Sequence, residues 1–151
     1  MSPLWFKKNE SFTIVVGCGR LGAGLANNLS DEGADVLVID SDKNSFQRLS
    51  PSFSGLTLVG NATDLEVLEE ADISRATSVI AVTNYDNTNI LVAQMVKELY
   101  GTEHVIARLY ESSRECVYQD FGIDTISPAA LSIEQIGKLL KSTEAPDNNK
   151  G

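Results

Sequence analysis

The chain has 151 residues, of which 42% are hydrophobic and 22% charged, and a formal net charge of −9 at neutral pH. That length supports one domain with a substantial core and leaves little room for a second, and the composition is that of an ordinary soluble globule. The negative charge argues against nucleic acid as a partner, so any phosphate must be held locally, and the apolar runs fall far short of a membrane span, so direct membrane insertion is not expected. No signal peptide is visible, and Cys18 and Cys116 show no metal-type spacing, which suits a reducing cytoplasm.

Residues 1–11 read as an irregular polar segment carrying Trp5 and Phe6, aromatics expected on the domain surface or on a neighbouring subunit. A β-branched run, Thr13 to Val16, reads as a buried strand and breaks into Gly17-Cys18-Gly19-Arg20-Leu21-Gly22. Apolar residues then recur at Leu21, Leu25, Ala26 and Leu29, the spacing of a helix face, until Gly33 stops the helix. A second strand runs from Val36 to Ile39 and closes on Asp40, followed by Ser41 and Asp42. A short helix with Phe46 and Leu49 is ended by Pro51. Leu56 to Val59 is a third strand, closed by Gly60-Asn61-Ala62-Thr63, and Asp64 caps a helix carrying Leu65, Leu68 and Ala71.

Ser78 to Val82 is continuously apolar, as buried parallel strands are, and leads through Thr83-Asn84 into a helix from about Asn87 to Tyr100. Val105 to Leu109 is strand five, preceded by the only histidine, His104, at the end away from any ligand. Ser113 to Phe121 is a helix, Asp124 to Ser127 a short sixth strand, and Pro128 starts a last helix with Ala129, Ile133, Ile136 and Leu140 on one face. That stripe has no later element to cover it, which points to a partner subunit. From Ser142 the tail is polar and expected to be disordered. The nucleotide-binding domain is therefore expected over residues 12–141.

Six strands alternating with helices predict an α/β fold with a doubly wound, Rossmann-like parallel sheet, order 3-2-1-4-5-6, with ligand outside the carboxyl ends of strands one and four. The glycine loop fits a pyrophosphate: Gly17 allows the turn, Gly19 lets the backbone approach, and Gly22 lets the helix pack close. The amides at the helix start receive phosphate oxygens. Asp40, about 20 residues on, is placed to accept from ribose hydroxyls, and its charge disfavours a 2′-phosphate. Cys18 is expected as a small residue filling a tight turn.

Together, VVGCGRLGAGLANNL, VLVIDSD, LVGNATD, VIAVTNYDNTNILVA, VIARL and FGIDTISP resemble the RCK (KTN) nucleotide-binding domain of Trk- and Ktr-type potassium uptake systems and some potassium channels, over roughly Ser11 to Leu140. The resemblance implies that the loop Gly17, Cys18, Gly19, Arg20, Leu21 and Gly22 contacts phosphates and that Asp40 takes the adenosine ribose, flanked by Ser41 and Asp42. It implies that Asn61 and Ala62, with Thr63, border the adenine, that Thr83 and Asn84 line the far side, and that Arg108 reaches phosphates, across a subunit contact in some arrangements. The implied ligand is an adenine nucleotide, NAD(H), ATP, ADP or AMP, with the AMP moiety the part the motifs specify. The implied role is a cytoplasmic regulatory subunit, peripheral to the inner face of the membrane, that forms a dimer or ring and gates a membrane potassium transporter subunit.

Two departures stand out. Asn61 replaces the family's usual aspartate, keeping hydrogen bonding but losing charge. Ala129 follows Pro128 where some relatives carry an acidic metal ligand, so no metal is expected. The family's smaller C-terminal ligand domain has no counterpart, so it is either a separate chain or the polypeptide is cut short. The rival reading is the cofactor-binding chain of a two-subunit NAD-dependent oxidoreductase. Against it, none of Tyr85, Tyr100, Tyr110 and Tyr118 has a lysine four residues on, and no phosphate-binding Gly-x-x-x-x-Gly-Lys or zinc-ligand cluster is present. The chain reads as a non-enzymatic sensor.

Overall fold

The computed structural model describes residues 11–150, with side chains to residue 142; Trp5 and Phe6 lie outside the described residues. The elements in chain order begin with β1 (Phe12–Val16), α1 (Arg20–Asp31) and β2 (Asp35–Asp40), a 3-10 turn at Lys43–Arg48, and β3 (Leu56–Val59). They continue with α2 (Leu65–Glu70), β4 (Ser78–Ala81), α3 (Asp86–Tyr100), β5 (His104–Arg108), α4 (Glu115–Gln119), β6 (Asp124–Ile126) and α5 (Pro128–Lys150). All six strands are parallel, in the order β3-β2-β1-β4-β5-β6, as the alternation of strands and helices predicts. β1 sits between β2 and β4, so the winding reverses beside it, which opens a crevice at the carboxyl ends.

Successive strand residues point to opposite faces, and both faces are covered. Ile14, Val16, Ile39, Val79 and Ala81 bury themselves with Val92, Ala93 and Val96 of α3 on one side of the sheet. Val15, Val36 and Val38 pack with Ala23 and Ala26 of α1 on the other. The continuous apolar runs of β1 and β2 follow from this double burial.

Several expected boundaries move. The helix after β2 is a 3-10 turn, and the segment from Ser113 is a 3-10 turn at Ser112–Arg114 followed by a helix of only five residues. β4 and β5 each end one residue early, although Val82 still donates to the Val16 carbonyl and Leu109 to that of Ile126, both at 2.8 Å. Where the sequence suggests a disordered tail from Ser142, the backbone of α5 is helical to Lys150.

Candidate functional site

Gly17 leaves β1 with φ +105° and donates to the Ile39 carbonyl at 2.8 Å, while a Cβ there would lie 2.9 Å from the Thr83 nitrogen. Only glycine fits this crossing of three strand ends. At Gly22 an added Cβ would run into the Gly17 carbonyl oxygen, so the first turn of α1 packs directly under the loop. Gly19, the N-cap of α1, differs: no side chain caps the helix, and a Cβ there would meet nothing within 4 Å. The first-turn amides thus face open space, as a phosphate group requires.

Asp40, at the tip of β2, uses both carboxylate oxygens on the backbone. Oδ2 accepts from the Cys18 N–H at 2.7 Å and Oδ1 from the Asp42 N–H at 2.8 Å. Each oxygen keeps a second lone pair that a ribose hydroxyl can use. The carboxylate therefore shapes the glycine loop as well as facing the crevice. Cys18 is fully buried, and burial first, then the Asp40 charge, pushes its thiol pKa up against a smaller opposing effect of Arg48. The thiol stays protonated and acts as packing.

Two adjoining chambers meet at Gly19, Val82 and Asn84. The first, about 480 Å³, is lined by Gly17 and Gly19, by Asp40, Ser41 and Asp42, by Asn61 and Ala62, and by Thr83 and Asn84. The second, about 530 Å³, is lined by Arg20, Leu21, Arg108 and Pro128 as well as the shared residues, and no carboxylate lines it among the described residues. The Arg108 guanidinium donates to the Thr83 carbonyl and to Asn84 Oδ1, both at 3.4 Å, which ties the two chambers' common wall to β5.

The structure thus gathers most of the residues singled out in the sequence, but Cys18, Gly22 and Thr63 line neither chamber. Thr63 instead donates its N–H (3.0 Å) and its hydroxyl (2.8 Å) to Asn61 Oδ1, so the amide Nδ2 is the donor that Asn61 has left. Ser45, Arg48, Tyr85 and Thr88 line the first chamber and were not singled out. Arg48 reaches back from the 3-10 turn to the Cys18 carbonyl at 3.5 Å. Its place just beyond β2 is the only sequence signal that could have marked it. His104 lies at the opposite end of β5, exposed beside Glu103 at 3.8 Å.

The TrkA-N domain profile matches residues 13–128 of this chain. The chain is similar to the Trk system potassium uptake protein TrkA of Streptomyces coelicolor, 40% identical over 134 residues, covering 88% of this chain and 60% of that relative's length. Among solved structures it resembles the GsuK channel bound to NAD, with a TM-score of 0.76 and 26% identity over 93% of this chain and 25% of that one. It also resembles GsuK bound to ADP, with a TM-score of 0.76 and 25% identity over 90% of this chain and 35% of that one. The family match runs from the second residue of β1 to the first residue of α5 and contains both chambers; the chain belongs to the TrkA-N domain family.

Proposed function

We propose that this chain is an adenine-nucleotide-sensing regulatory part of a potassium uptake system, with residues 12–141 as its binding unit. One observation carries the reading: at the point where the sheet reverses, uncapped helix amides face open space beside a carboxylate with free lone pairs. The first chamber suits an AMP moiety. Asp40 takes the ribose, with Ser41 and Asp42 beside it, Asn61 and Ala62 border the base with Thr63 bracing Asn61, and Gly19, Arg20 and Leu21 offer amides to the phosphate. Cys18 and Gly22 hold that loop in shape, and Thr83 and Asn84 form the far wall. Arg20 and Arg108, in the second chamber, meet whatever follows the first phosphate, which is where NAD(H), ADP and ATP differ.

The GsuK structures named as bound to NAD and to ADP, and the relative named as a potassium uptake protein, support both the ligand class and the setting. In this reading the chain binds and does not react. Regulation requires only that the nucleotide prefer one conformation, and charged hydrogen bonds to added phosphates supply such a difference. The partner is a membrane potassium transporter subunit at the inner face of the membrane; among the described residues no helix is long and apolar enough to cross it. Ile133, Ile136 and Leu140 of α5 are 71%, 56% and 64% exposed, which supports a contact with a second copy in a dimer or ring, or with a separate C-terminal chain.

The test is to release and identify by mass spectrometry whatever nucleotide co-purifies with the full chain, then to titrate AMP, ADP, ATP and NAD by calorimetry. Saturable binding of at least one is expected. A folded chain that takes up no adenosine compound at millimolar concentration overturns the proposal.

A further inference from the structure

Asn89 lies in the first turn of α3, fully buried, and lines neither chamber. Its Oδ1 accepts from the Thr83 N–H at 2.8 Å and from the Thr83 hydroxyl at 2.7 Å. Its Nδ2 donates to the Thr83 carbonyl at 3.1 Å and to the Arg108 carbonyl at 3.0 Å. An amide side chain can make about four hydrogen bonds, and here all four go to the ends of two adjacent strands. Thr83 is where β4 opens into the first chamber; Arg108 is where β5 opens into the second.

We infer that Asn89 is a positioning residue for the nucleotide site, locking the β4 and β5 exits in one register so that Arg108 faces the same ligand as Thr83. The β4–β5 ladder ends at Ala81 and Ala107, and beyond it each strand is held only by its other neighbour, β4 by β1 and β5 by β6, so no backbone pairing sets Thr83 against Arg108. A buried, fully satisfied amide does, because moving either strand end leaves polar groups unpaired. Asn89→Asp keeps the acceptor toward Thr83 but turns a carboxylate oxygen toward the Thr83 and Arg108 carbonyls, which lose their donor.

The inference rests on the nucleotide reading above and is tested separately from it. In the full chain, Asn89→Asp lowers affinity for ADP by about ten-fold and for AMP by less, since only ADP extends toward Arg108. The ADP-to-AMP preference therefore falls toward that of Arg108→Ala. Ile73→Ala, a core truncation before the start of β4, supplies a destabilised control and leaves the preference unchanged. Should the variant not fold, the wild-type chain decides: the Asn89 side-chain amide resonances shift on saturation with ADP although the residue does not touch the ligand. A folded Asn89→Asp with the wild-type preference overturns the inference, as do unmoved resonances where the variant does not fold. A wild-type chain that binds neither nucleotide overturns the functional reading itself and this inference with it.

Discussion

The two ends of the sheet are finished in opposite ways. At the amino ends of the strands, the Arg75 guanidinium lies 4.1 Å over the Phe12 ring and pairs with Asp72 at 2.9 Å and Asp35 at 3.2 Å. Its charge is satisfied by neighbours, and the hydrogen bond to Asp72 is the main cause that raises its pKa further. At the carboxyl ends, Asp40 is turned onto backbone amides of Cys18 and Asp42, Arg108 onto backbone and Asn84, and the first turn of α1 has no cap. One end closes on itself; the other spends its side chains shaping a loop and leaves donors for something from outside. The same six strands thus carry a structural end and a receptive end, and substitutions should sort accordingly.

The largest effect is expected where the receptive end is most crowded. Gly22→Ala pushes a methyl group into the Gly17 carbonyl and to within 3.3 Å of Val82 Cγ2. Backbone cannot yield as a side chain can, so a loss of about 3 kcal/mol or more is expected in urea denaturation. A fully stable variant would mean that the loop and helix are not packed as described.

Asp40→Asn comes next and touches both stability and binding. Whichever way the amide turns, its NH2 faces the N–H of Cys18 or of Asp42, so about 1–3 kcal/mol of stability is expected to go. Adenine nucleotides should bind about ten- to hundred-fold more weakly, because a charged acceptor for the ribose is lost. Calorimetry and chemical denaturation read the two effects separately. Unchanged stability with weakened binding would leave Asp40 a ligand contact only; unchanged binding would remove it from the site.

What the sequence disclosed of these two ends follows from how each residue earns its place. The sheet order, the glycine turn, Asp40 and the Asp64 cap, whose carboxylate accepts from Glu66 N–H at 3.0 Å, are local patterns with fixed spacing. Asn89 was invisible because a polar residue in a helix's first turn ordinarily faces water, and nothing in Asn87-Thr88-Asn89 distinguishes the buried one. Arg48 was missed for the same reason: a charged residue on a short surface turn looks solvated until the fold bends it over the crevice. Asp40's hold on the glycine loop was also hidden, since it joins residues 22 apart in sequence. Tertiary contacts of this kind carry no periodicity.

The smallest effect should lie at the closed end. Arg75→Ala removes two ion pairs whose side chains are about half exposed and one ring contact. Solvent screens such pairs, so each contributes little, and the ring contact adds a comparable amount; a loss of about 1 kcal/mol is expected by thermal or chemical denaturation. Raising the salt concentration should shrink the difference between wild type and variant, because the exposed ion pairs weaken while the close guanidinium–ring contact is screened less. Nucleotide affinity should stay at the wild-type value, since Phe12 and Val16 sit at opposite ends of β1 and only Val16 lines a chamber. An Arg75→Ala chain that lost nucleotide affinity while remaining folded would show that the strands transmit strain from one end to the other, and the division into a structural and a receptive end would have to be abandoned.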